Sequence, residues 1–242
     1  MLLTMTLLIG FTFFATASAQ GTQQNQKQID TGKMYLLGST SKLSNSTEIT
    51  PKDVQLMWEK AKLGIQTVEQ FWQVKFAQNG IYYRQPKVKY YTSPVTSGCG
   101  KLPMNNAAYC PADHTIYFDA IFFVRVMKAI GQNLETDGDM AIIFILAHEW
   151  GHAAQGMMRM KFQFPIQFEE NADCTAGAFT RYAAEQKWLE EGDLEEALTV
   201  LEVFGDQLPY GTSGEHGSGE ERIAKFKRGV KGGLVACGGF SR

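Results

Sequence analysis

Apolar residues recur along this chain at two spacings, and those spacings divide it into helices and short strands. Over residues 51–77 the positions Val54, Trp58, Ala61, Ile65, Val68 and Trp72 follow at three- and four-residue steps, one face of a helix. Thr50-Pro51 supplies an N-cap and a proline at the first helical position, and Asn79-Gly80 stops the pattern. Residues 88–92, rich in valine and tyrosine, and the alternating residues 115–118 read as strands. Further helices are predicted over 120–131, over 140–158 with Asp139 as cap, over 166–188, over 193–205 and over 220–230. A polar, glycine-rich loop at 211–219 precedes the last of them, and the segment between Cys99 and Cys110 reads as a loop rich in Gly, Pro and Asn. The fold class that follows is α+β, mostly helical with a small β-sheet.

The amino terminus breaks this pattern. Residues 1–19 carry no charged side chain, are mostly apolar and close on Ala17-Ser18-Ala19, after which the chain turns polar at Gln20. That is the order of a secretory signal peptide, without the usual Lys or Arg at its start. An uncleaved anchor helix is the alternative, although the apolar run is short for a membrane span. Residues 20–50, rich in Gln, Thr, Ser and Asn, read as a flexible leader. Residues 51–242 then form one domain, a length that buries a core without needing a metal or a disulfide merely to fold. The expected location is secreted or periplasmic, with no stable membrane anchor if the leader is cleaved.

Composition narrows the function. A net charge of −2 and the lack of an arginine-rich face set nucleic-acid binding aside. Four cysteines in an exported chain imply two disulfides, with three pairings open. The loop between Cys99 and Cys110 favours a local bridge there, leaving Cys174 with Cys237; buried free thiols are the alternative. No Cys-x-x-Cys is present, which argues against a cysteine zinc site.

The chemistry concentrates in His148-Glu149-Trp150-Gly151-His152. Residues at i and i+4 share a helix face, so both imidazoles can reach one ion. Glu149 sits about 100° around the axis, where it can flank the ion without binding it and take a proton from water. Three fixed residues arise by chance in roughly one chain of this length in thirty, so the motif alone decides little. The apolar run Met140 to Ala147 before it makes the helix a buried one, and buried charges need partners or a metal. A His-Glu ion-pair cluster without metal is the bland alternative.

Zinc needs a third protein ligand. Glu169-Glu170-Asn171-Ala172-Asp173-Cys174 begins 17 residues beyond His152, on the next predicted helix. A turn at 162–165 would set the two helices antiparallel. Glu169 is the expected third ligand and Glu170 its rival; Asp173, one turn beyond Glu169, can accept from the far nitrogen of a ligating histidine. A solvated acidic face is the reading without function. His216, flanked by Tyr210 and Arg222, is the candidate for stabilising an oxyanion. His114 is expected at the surface. Phe122, Phe123, Phe144, Trp150 and Phe162 are expected in the core, and Gly151 is expected to admit a close neighbour.

These residues carry a resemblance. The His-Glu-x-Gly-His motif with its apolar lead, Gln155, and Glu169-x-x-Ala172-Asp173-Cys174-x-Ala176-Gly177 resemble the putative neutral zinc metallopeptidase family of bacteria. Tyr109-Cys110-Pro111-Ala112-Asp113 and the strand after it, His216-Gly217-Ser218, Glu221-Arg222 and Phe226-Lys227-Arg228-Gly229 agree in order. The likeness runs from about Ser97 to Phe240. It implies a zincin-like, gluzincin-type domain: Zn2+ on His148, His152 and Glu169, with Glu149 as general base and then acid. Trp150 departs from a usual small aliphatic residue, and Glu170-Asn171 from a more apolar pair. The expected activity is hydrolysis of a peptide or protein substrate. A catalytically silent zinc-binding protein and a zinc hydrolase acting on a non-peptide bond are the alternatives.

Overall fold

The computed structural model describes residues 48–205 and 216–240. The signal peptide expected over 1–19, most of the leader and Tyr210 lie outside the described residues. The elements run α1 (Pro51–Gln78), β1 (Lys87–Tyr91), β2 (Val95–Ser97), β3 (Gly100–Leu102), β4 (Ala107–Cys110), β5 (Thr115–Asp119), α2 (Ala120–Leu134), α3 (Asp139–Met157), α4 (Ile166–Glu185), α5 (Asp193–Val203) and α6 (Gly219–Ala236). The chain is a mostly helical α+β domain with a small sheet.

Each end of α1 follows from its residues. Thr50 and Asp53 cap each other's backbone N–H groups, and Pro51 opens the first turn. The buried stripe is Met57, Ala61, Gly64, Val68, Phe71, Trp72 and Phe76. It is rotated from the predicted face: Val54, Trp58 and Ile65 sit at its edge, half-buried. The reason is packing against α3, where Gly64 lies against Ile143 and Leu146.

β5 is the middle strand of a three-stranded sheet, parallel to β1 and antiparallel to β4, with Tyr109 opposite Ile116. All five of its residues are buried. Asp119 then caps α2, accepting from Ile121 N and Phe122 N, so strand passes into helix without a linker. The segment expected to be loop contains β3, which forms a hairpin with β2 just before it, and β4. Strands of three and four residues interrupted by Gly, Pro and Asn leave too little alternation to read. A disulfide joins Cys99, in the hairpin turn, to Cys110 at the end of β4.

His114, expected at the surface, is instead buried. It sits in the turn between β4 and β5 at φ 53°. Its Nδ1 lies 2.7 Å from Tyr109 Oη and its Nε2 2.9 Å from Arg84 O, so both ring nitrogens have partners away from water. Phe122, Phe123, Phe144 and Trp150 are core residues. Phe162 is not; it is half-buried and packs its ring against Phe168.

α3 is buried on every side, in contact with α1, α2, α4, α5 and β4. Its cap is not the expected one. Gly138, at φ 77°, is the N-cap and offers no side chain. Asp139 lies inside the first turn, 2.9 Å from Lys60 Nζ. Glu196 of α5 caps in its place, accepting from Gly138 N at 3.0 Å and Ala141 N at 3.1 Å.

α4 runs antiparallel to α3, and α6 lies close along α4. At Gly229 the backbones nearly touch: a Cβ there would overlap Cys174 O. A second disulfide joins Cys174 to Cys237, and Phe240 beyond it packs its ring on Phe76. α6 extends past the predicted end at 230 and breaks at Gly233 (φ 62°). α4 and α5 end two or three residues before the predicted limits. Among the described residues no helix is long and apolar enough to cross a membrane.

The α4–α6 contact yields a prediction. Gly229→Ala is expected to destabilise the protein by about 2–3 kcal/mol, because a rigid backbone must move. Lys227→Ala, exposed on the same helix, is expected to stay within about 0.5 kcal/mol of wild type. Urea denaturation of both variants is the measurement; equal midpoints would contradict the close packing.

Candidate metal centre

One turn of α3 separates His148 and His152 and sets both rings on the face toward α4. Their Nε2 atoms are 3.2 Å apart and the rings nearly perpendicular, at 87°. Gly151 lies between them and lets α4 approach: Ala172 Cα would be 3.0 Å from a Cβ there, and Thr175 Oγ1 closer still. A larger residue would push α4 away. Because α4 is antiparallel, Glu169 falls opposite His152 and Asp173 opposite His148.

The Glu169 carboxylate straddles the two rings. Its Oε2 is 3.3 Å from His148 Nε2 and its Oε1 3.4 Å from His152 Nε2. Glu170, the rival, points elsewhere: it is half-buried and 3.0 Å from Lys225 Nζ of α6. His216 Nδ1 lies 2.9 Å from Glu169 Oε2, which places this histidine beside the cluster.

His148, His152 and Glu169 form a group that can hold a metal ion. The two Nδ1 atoms face acceptors, Asp173 Oδ1 at 2.8 Å and Gln155 Oε1 at 3.2 Å. Neutral imidazoles so bonded direct both Nε2 lone pairs at each other and at a carboxylate. Glu169 Oε1 is buried and, among the described residues, has no hydrogen-bond donor. Donors bound at about 2.05 Å around tetrahedral zinc lie about 3.3 Å apart, the spacing found here. The residues therefore fit a divalent cation of the zinc type.

Electrostatics lead to the same place. Burial works against charge on His148, but the bonds to Asp173 and Glu169 override it and raise its pKa to about 10. Burial lowers His152 to about 4 against the attraction of Glu169. Glu169 is held well below the usual carboxylate range, burial being outweighed by His152, His148 and His216. With protons alone the pocket takes up one positive charge between the rings; a metal ion meets the same demand.

Glu149 is buried on the neighbouring face of α3. The backbone N–H of Tyr109, on β4, donates to its Oε2 at 2.7 Å. Burial pushes its pKa up to about 8. The hydrogen bond was invisible in the sequence, since it crosses 40 positions from strand to helix. Arg222, which sequence order set beside His216, serves Asp173: its Nε reaches Oδ2 and its terminal nitrogen Oδ1, both at 2.8 Å. It is wholly buried and also donates to Phe204 O at 3.3 Å. Asp173 consequently stays ionised: Arg222, helped by His148, outweighs burial and lowers its pKa.

Fold and cluster together define a mostly helical α+β domain in which two histidines and a carboxylate on adjacent antiparallel helices can hold a metal ion. The chain belongs to the putative neutral zinc metallopeptidase family, whose description matches residues 19–240. It is 32% identical over 201 residues to the uncharacterized protein YpfJ of Escherichia coli (strain K12), covering 73% of this chain and 69% of that one. It is 27% identical over 180 residues to the uncharacterized protein Rv2575 of Mycobacterium tuberculosis (strain ATCC 25618 / H37Rv), covering 62% and 60%. No solved structure matches it.

Metal analysis tests the donor set. The purified protein is expected to carry one zinc per chain, which His148→Ala, His152→Ala and Glu169→Ala each lose while Glu170→Ala keeps it. Equal zinc in Glu169→Ala and wild type would remove Glu169 from the set.

Proposed function

We propose that this protein is an exported zinc-dependent peptidase that hydrolyses peptide bonds, with Glu149 as general base and then general acid. The observation that carries the reading is the convergence of His148, His152 and Glu169 with Glu149 held on the adjoining face of the same helix. His148, His152 and Glu169 would hold the ion. Bound zinc supplies a Lewis acid for the carbonyl and lowers the pKa of a water molecule to about 7.

The chain's own residues do the rest. Tyr109 N–H fixes one oxygen of Glu149, leaving the other to accept the proton of the attacking water. Glu149 then delivers that proton to the departing amine nitrogen. Asp173, locked by Arg222, holds His148 by its Nδ1–H and keeps Nε2 available. His216, whose Nδ1 faces Glu169, is the side chain beside the cluster that would stabilise the developing oxyanion.

Export is supported by the leader-like residues 1–19 and by the two disulfides, which fit an oxidising compartment. The substrate is a peptide or a protein.

Glu149→Gln separates this reading from its rivals. The variant is expected to keep its zinc and lose about 10²–10⁴-fold in turnover of peptides drawn from a mixed library. Undiminished turnover would sink the role given to Glu149. A zinc-loaded wild type that cleaves no peptide would favour a silent binding protein or a hydrolase of another bond.

A further inference from the structure

We infer that Gln155 is a positioning residue that selects the tautomer of His152, and that a relay of amides anchored on two backbone carbonyls sets Gln155 itself. The inference rests on His152 being a metal ligand. Gln155 lies three residues after His152 on α3 and is buried. Its Nε2 donates to Phe168 O at 2.7 Å and to Asn171 Oδ1 at 3.0 Å. Asn171 Nδ2 in turn donates to Cys237 O at 2.7 Å.

Direction in this relay is not free. A backbone carbonyl only accepts, so the nitrogen of each amide must face its carbonyl. Turning Gln155 over would set Oε1 against Phe168 O. Turning Asn171 over would set Oδ1 against Cys237 O. With both amides in their one satisfied orientation, Gln155 presents Oε1 to His152 Nδ1 at 3.2 Å. An amide oxygen also only accepts, so the ring proton belongs on Nδ1 and the lone pair on Nε2. Nε2 is the atom that faces His148 Nε2 and Glu169. The other tautomer would direct an N–H at the place of the ion and could not ligate.

The far end of the relay is fastened. Cys237 is tied by its disulfide to Cys174, three residues beyond Asn171 on α4. His148 and His152 thus reach the same tautomer by different means, one through an Arg-paired carboxylate and one through a neutral amide. Loss of Gln155 would take an acceptor from the buried Nδ1 side of His152 and loosen the hold on the ring.

The test uses the zinc-loaded protein labelled with nitrogen-15 at histidine. The wild type is expected to show a proton on His152 Nδ1 that exchanges slowly with water. Gln155→Leu is expected to bind zinc about 10–100-fold more weakly in competition with a chromophoric chelator. A wild-type His152 with no proton on Nδ1 overturns the inference, whether or not the variant folds. So does a folded Gln155→Leu with wild-type zinc affinity when His152→Ala has lost its zinc. Zinc retained by His152→Ala would remove the ligand reading itself, and the relay with it.

Discussion

A wholly buried carboxylate, Asp173, ties three helices together. It accepts from His148 on α3 and from the Arg222 fork on α6, while sitting on α4 itself. Removing such charges from water costs several kcal/mol per ion, and only close opposite charges with good geometry offset that. The arrangement is therefore specific. α6 must lie where the guanidinium meets Asp173 edge-on, and α3 where an imidazole nitrogen meets the remaining lone pair. His148 then has its other nitrogen aimed at Glu169, and the site exists as a consequence of the same contact.

Small residues make that contact sterically possible. Gly151 brings α4 against α3 at the level of the histidines, and Gly229 brings α6 against α4 one turn beyond Asp173. The Cys174–Cys237 bridge fastens the same interface covalently beside Asp173. Helix α3 can then be enclosed completely. At its start, the backbone donors of Gly138 and Ala141 are taken up by Glu196 from α5. An enclosed helix lowers the dielectric around its polar residues, which strengthens every bond the site makes.

Most of the helical framework was legible in the sequence because apolar periodicity and capping residues are local signals. Thr50 with Pro51 and the apolar lead of α3 announced their elements. The small strands β2, β3 and β4 were not legible, since three or four residues cannot show a period. His114 misled for another reason: nothing local reveals that Tyr109 Oη and Arg84 O will satisfy it. The stripe on α1 was displaced because the surface it meets on α3, not its own periodicity, chose which apolar residues lie deepest.

The sequence by itself determined that two histidines one helical turn apart would share a face, that Glu149 would stand beside them, and that an acidic pair one turn apart would follow on the next helix. Only the tertiary structure decided that Glu169 and not Glu170 meets the rings, that Arg222 belongs to Asp173, and that a backbone N–H from β4 holds Glu149. The division has a physical reason. Helical spacing is set by backbone geometry over four residues. A partner 40 or 49 positions away is selected by how whole helices and strands pack, and by the demand that every charge they bury find its counterpart.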